Sequence, residues 1–73
     1  MTSLNRQFLL FFGRKVRDER QKRKYSQERL GELAGVHRTY IGMIERGEKN
    51  ITLSNMQKIA HALGLKVRDL IDF

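Results

Sequence analysis

Gln27-Glu28-Arg29-Leu30-Gly31-Glu32-Leu33-Ala34-Gly35-Val36-His37-Arg38-Thr39-Tyr40-Ile41-Gly42-Met43-Ile44-Glu45-Arg46 is the stretch that decides the fold. Leu30, Leu33 and Ala34 recur at threes and fours, as do Ile41 and Ile44, which is the spacing of a helix with one buried face. Gly35 interrupts the pattern, and a residue free to adopt positive φ ends a helix there. Two helices of about eight and ten residues, joined by a three- or four-residue turn containing glycine, meet at a steep angle. A steep angle demands close approach. Gly31 carries no side chain to hold the helices apart, and Leu30, Ala34, Val36, Ile41 and Ile44 supply the apolar positions that such a pair must bury.

The flanking sequence reads the same way. Proline is absent and the apolar residues keep the helical period, which predicts an all-α domain of five helices. The first runs from Ser3 or Asn5, either of which can cap it, to about Lys24. Phe8, Phe12 and Val16 form its core stripe, flanked by Leu9 and Glu19. Ser26 starts the second helix as a plain N-cap, because Arg29 occupies the position where a capping box has an acid. The third spans about His37 to Arg46 and stops at Gly47. Thr52 or Ser54 caps a fourth that carries Leu53, Met56, Ile59, Ala60 and Leu63 and closes at Gly64. Lys66 to Phe73 fit a fifth helix of about two turns. Short joins leave one domain over residues 1–73, with the two-helix unit at about 26–47 and a dimerisation region at about 59–73.

Seventy-three residues build a small core. Below roughly 70–80 residues a single core seldom supplies more than about 3–5 kcal/mol, so a further stabiliser is expected. With no cysteine it is neither a disulfide nor a Cys-ligated metal, and His37 and His61 are too far apart in sequence for a ligand pair at helical spacing. A partner remains. Fifteen Lys and Arg against eight Asp and Glu give +7. Between Arg14 and Lys24 stand Arg14, Lys15, Arg17, Arg20, Lys22, Arg23 and Lys24 against only Asp18 and Glu19. That concentration suits a polyanion such as nucleic acid, or an anionic membrane surface, and also suits a plain solvated face. Insertion into a membrane is excluded, since the longest apolar run, Phe8 to Phe12, is far short of the roughly 20 residues needed to span. No signal-peptide pattern occurs near Met1, and a cytoplasmic location is expected. A Ser–His–Asp set, a phosphate-cradling glycine loop and a metal cluster are all lacking, so neither an enzyme nor a cofactor is expected.

Gln27 to Val36, followed by Tyr40-Ile41-Gly42-Met43-Ile44-Glu45-Arg46-Gly47, resembles the helix-turn-helix of the phage-repressor (Cro/C1, or XRE) family. Phe12 to Arg20 and Ile59 to Leu70 match that family's first and last two helices. More narrowly, His37 to Gly42 with Glu45-Arg46-Gly47-Glu48-Lys49-Asn50-Ile51-Thr52-Leu53 resembles the controller proteins of restriction–modification systems. The resemblance implies a five-helix, lambda-repressor-like domain that binds double-stranded DNA sequence-specifically. It implies a homodimer on a palindromic operator that regulates its own promoter, activating at low dose and repressing at high dose through two dimers on adjacent sites, with RNA polymerase as a further partner. A phage-type repressor and an antitoxin share the fold, as does an interaction module that reads no DNA.

In that frame, about 100° per residue puts Thr39, Met43 and Arg46 opposite Ile41, Ile44 and Glu45 on the third helix, with Gly42 beside them. Arg38 is expected to read a base, since its fork holds both O6 and N7 of guanine. Thr39 can touch a thymine methyl or a phosphate, and Met43 a thymine methyl or the groove shape. His37 can cap the helix or reach a base. Gln27, Tyr40, Lys49 and the Asn50 backbone suit phosphate contacts, while Tyr40 can instead pack on the first helix. The resemblance further implies a structural ion pair between Arg20 and Glu45. Leu65, Val67, Leu70, Ile71 and Phe73 exceed what two turns can bury against their own domain, which points to an isologous two-fold interface with the end of the fourth helix. His61 is expected to be a surface or interface residue without chemistry.

Overall fold

Capping chemistry sets the helix starts. Ser26 Oγ accepts from the Arg29 backbone N–H at 2.9 Å, and Thr52 Oγ1 accepts from that of Asn55 at 3.1 Å, so Thr52 rather than Ser54 opens its helix. The computed structural model describes residues 3–73, with side chains from Asn5 onward. Among them run α1 (Ser3–Lys22), α2 (Gln27–Ala34), α3 (Arg38–Glu45), α4 (Leu53–Ala62) and α5 (Val67–Leu70), with no strand. The all-α architecture and the order of its elements are as expected. α1 begins at Ser3, whose side chain lies outside the described residues, and Asn5 sits inside the helix rather than before it.

α1 to α4 end alike. Just past each last turn a residue in the left-handed region donates its N–H to a carbonyl three residues back, and its successor donates to one five residues back. Gly35, Gly47 and Gly64 fill that place at φ 74°, 70° and 71°; after α1 it is Lys24, at φ 59°. Left-handed backbone costs an L-residue about 1–2 kcal/mol. The turn is held from beyond, because Arg20 Nη1 donates to the Tyr25 carbonyl at 2.8 Å. α1 therefore stops at Lys22, two residues short of the expected Lys24.

Phe12 and Val16 of α1 pack with Leu30, Ala34, Ile41, Ile44, Ile59, Ala60, Leu63 and Leu70 in one buried cluster, and Leu9 is buried as well. Two glycines let the backbones close on it. A Cβ on Gly31 would lie 2.6 Å from the Val36 carbonyl oxygen, so α2 and α3 approach as the turn requires. A Cβ on Gly13 would overlap the carbonyl oxygens of Ile44 and Glu45. Mid-helix glycine costs about 1 kcal/mol against alanine, and α1 carries it because the end of α3 lies directly against its backbone.

Four apolar expectations need correcting. Phe8 turns outward to Phe73, Leu33 faces solvent on α2, and Leu53 is exposed in the first turn of α4. Leu70 leaves the set expected to face another copy: α5 is one turn rather than two, and it drives Leu70 fully into the chain's own core. Ile71 and Phe73 lie beyond the helix and stay exposed.

Glu19 is buried at the rim of this core, yet it remains an anion. Its carboxylate accepts from Arg23 and Lys22 at 2.9 Å each and meets Lys15 at 3.3 Å, the two lysines lying on α1 and Arg23 just past its end. Hydrogen bonds from Arg23 and Lys22, with support from Lys15, outweigh the opposing effect of burial and lower its pKa from 4.5 to about 2. The anion binds its cations only in the fold, so this stabilisation is complete above about pH 4.5 and disappears as pH falls towards 2. The urea midpoint of the wild type should decline through that window, and Glu19→Gln should flatten the decline. Parallel acid profiles for the two proteins would contradict the assignment.

Candidate nucleic-acid interface

α3 is gripped on every side but one. Ile41 and Ile44 enter the core, and Gly13 brings the α1 backbone against its C-terminal end. Glu45 receives both arms of Arg20, from Nε at 2.7 Å and from Nη2 at 3.0 Å. The Gln27 amide adds a donor at 3.1 Å. Only 12% of the Arg20 side chain and 4% of the Glu45 side chain remain exposed, so the pair works in a partly desolvated setting where geometry counts. Near the start of α3 the Tyr40 hydroxyl accepts from Asn55 Nδ2 at 2.9 Å, which ties α3 to α4.

The free side of α3 carries the candidate contacts. Arg38 and Thr39 are exposed in its first turn, Arg46 is exposed at its end, and Met43 is half-buried between them. With Ser26, Gln27, Glu28 and Gly42, the three exposed residues Arg38, Thr39 and Arg46 line an open polar groove of about 610 Å³ between the start of α2 and the outer face of α3. Gly42 keeps the groove open, since a Cβ there would press on the Arg46 guanidinium at 3.1 Å. Arg46 pairs with Glu48 at 2.9 Å, and that neighbour raises its pKa above the already high arginine value. Lys49 and Asn50 stand exposed on the loop between α3 and α4, and no ion pair holds Lys49 among the described residues.

Two of the candidate contacts also hold the scaffold. His37 Nδ1 accepts from the Thr39 backbone N–H at 3.0 Å, so the ring caps α3 through its unprotonated nitrogen and keeps Nε2–H as a donor. Tyr40 packs against the core, and its hydroxyl accepts from Asn55 of α4. Sequence reasoning missed Glu28, whose carboxylate meets Arg38 Nη1 at 3.0 Å, and Asn55. Neither pairing follows a helical spacing rule, because each joins two different helices.

A short, closely packed helix pair whose second helix is held by the core and by Arg20 and presents an exposed polar face matches a known architecture. A sequence model described as helix-turn-helix matches residues 16–70. The chain belongs to the helix-turn-helix family of XRE-type transcriptional regulators. This regulator is 51% identical over 65 residues to the control protein C.BamHI of Bacillus amyloliquefaciens, a match covering 88% of this chain and 80% of that one. It is 48% identical over 56 residues to the control protein C.SmaI of Serratia marcescens, covering 77% and 67%. Among solved structures, the restriction-modification controller protein C.AhdI from Aeromonas hydrophila superposes with a TM-score of 0.83 at 42% identity, covering 85% of this chain and 94% of that one. These control proteins are regulators, whereas an enzyme among the structures it resembles, a hydroxypropylphosphonic acid epoxidase, is covered over only 33% of its own chain. Among the described residues no helix of this regulator is long and apolar enough to cross a membrane.

The Arg20–Glu45 pair, expected from the resemblance, is present with both fork bonds formed. Arg20→Met alone should cost about 3–5 kcal/mol, since it strands a buried carboxylate, and adding Glu45→Leu should recover most of that loss. A double-mutant cycle in urea measures both. A single-variant cost below about 1 kcal/mol would mean that the pair does little to hold α3.

Proposed function

We propose that this regulator binds a palindromic duplex-DNA operator as a homodimer, with α3 of each copy in the major groove, and controls its own promoter as the controller protein of a restriction–modification system. The observation that carries the reading is the exposure of Arg38 and Thr39 in the first turn of a helix whose other sides are all anchored. That turn enters the groove first in this motif. Arg38 reads guanine with its fork, Thr39 meets a thymine methyl or a phosphate, and Met43 contributes shape. Arg46 works from the far end of the helix, while Gln27, Lys49 and Asn50 hold the phosphates that set register. His37 and Tyr40 act through the cap of α3 and the tie to α4 and so position the reading turn. The likeness to control proteins of restriction–modification systems supports the controller role, with two dimers on adjacent sites switching from activation to repression and RNA polymerase as the activated partner.

The dimer rests on apolar surface that the chain leaves open near its C-terminal residues. Leu65 and Val67 are half-buried beside His61, and Ile71 and Phe73 are exposed. The Phe73 ring lies 5.3 Å from those of Phe8 and Phe11, themselves partly exposed, so this surface continues onto α1. An isologous contact across it sets two recognition helices in successive grooves about 34 Å apart.

Sedimentation at micromolar concentration should give a dimer, and a monomer at every concentration would overturn this part. On the operator obtained by selection from randomised duplex DNA, Arg38→Ala should weaken binding by about 1–3 kcal/mol and relax one base position. An unchanged preference would favour an interaction module of the same fold.

A further inference from the structure

Glu28 and Arg38 form an ion pair where nothing forces them to. Glu28 Oε2 accepts from Arg38 Nη1 at 3.0 Å, while 63% and 64% of the two side chains stay exposed. An ion pair this open adds little to stability. Its location is more telling. The two residues line both the groove that runs to Gln27, Thr39 and Arg46 and the adjacent one bounded by Glu32, Val36 and His37. Arg38 therefore stands on the ridge between the grooves with a carboxylate holding one arm.

We propose that Glu28 is a specificity-determining residue of the DNA site, which orients the Arg38 fork towards a base edge and denies Arg38 to the phosphate backbone. The proposal rests on the base-reading role of Arg38 set out above. A guanidinium has five N–H donors in a fixed plane; one is engaged by Glu28, and enough remain for the O6 and N7 acceptors of guanine. The pair therefore need not break on binding. A fork fixed at one end loses less rotamer freedom when it docks, which favours the single geometry that guanine offers. An unrestrained arginine would fold onto any nearby phosphate, a contact that carries no sequence information. The carboxylate opposes that escape because it must approach the same phosphates. Glu28 thus trades general affinity for discrimination.

Glu28 is also the acid in the first turn of α2, where a negative charge stabilises the helix, so its loss has a structural effect to be separated. The test compares wild type, Glu28→Ala, Glu28→Gln and Arg38→Ala by binding selection from randomised duplex DNA, with each protein's affinity for random-sequence duplex and its melting temperature measured alongside. For Glu28→Ala the expected result is about a tenfold fall in the ratio of operator to random-sequence affinity. The loss should be confined to the base position that Arg38→Ala relaxes, and random-sequence binding should be equal to or tighter than wild type. Glu28→Gln keeps an acceptor without the charge and should fall between them. A ratio and position profile equal to wild type would overturn the proposal, as would a loss spread evenly over all positions with a lowered melting temperature. If Arg38→Ala relaxes a position and Glu28→Ala does not, only the role of Glu28 fails. If Arg38→Ala relaxes none, base reading by Arg38 fails and the proposal falls with it.

Discussion

The two-armed bond from Arg20 to Glu45 is the constraint on which the rest of the molecule turns. It joins the long first helix to the end of the third across a gap of 25 residues in sequence, and Gln27 and Tyr25 attach to the same two side chains. Through them one charge pair ties together the last turn of α1, the turn after it, the first residue of α2 and the end of α3. Apolar packing would bring these elements together but would leave the roll of α3 about its axis loosely set, because Ile41 and Ile44 tolerate small rotations. A planar guanidinium facing a planar carboxylate tolerates few. The pair is therefore best understood as a device for direction, since two desolvated ions return little net stability.

Charge elsewhere along α1 and the turn after it is organised just as closely. Of the seven basic residues between Arg14 and Lys24, Arg20 is taken by Glu45, and Lys15, Lys22 and Arg23 gather round Glu19. Arg14, Arg17 and Lys24 carry no ion pair among the described residues and are exposed, so their charge contributes to the field felt by an approaching polyanion without an acid beside it. Lys15 and Lys22 still reach solvent, and their attraction is tempered by the acid between them. A charge run that looks uniform in sequence is, in the fold, half scaffold and half surface.

Much of this was legible in the residues. Leu30, Gly31, Ala34, Gly35, Ile41 and Ile44 carry a period and a spacing that leave little choice of local structure, and the starts and stops at Ser26, Gly35, Gly47 and Gly64 follow from capping and left-handed backbone. The end of α1 was not legible, because Lys24 adopts a conformation normally signalled by glycine and does so only with Arg20 clamped to Tyr25. Gly13 reads as a weakness in a helix until α3 lies against it. Leu70 and Phe73 belong to the same apolar tail in sequence, yet a single-turn α5 sends one into the core and leaves the other on α1. The candidate site divides the same way: Arg38, Thr39 and Arg46 are legible from helical angles, whereas the couplings of Glu28 to Arg38 and of Asn55 to Tyr40 arise only when separate helices meet.

The grip on α3 has an evolutionary consequence. Its holding residues, Tyr40, Ile41, Ile44 and Glu45, and its exposed residues, Arg38, Thr39 and Arg46, are different residues interleaved along eight helical positions and the one that follows. Exchanges on the exposed side leave the core, the Arg20 fork and the tie to α4 untouched, so most of them cost only about half a kcal/mol of stability or less. The scaffold can thus stay constant while its outward face drifts. A lineage built on it can acquire new preferences in few mutational steps without passing through unfolded intermediates.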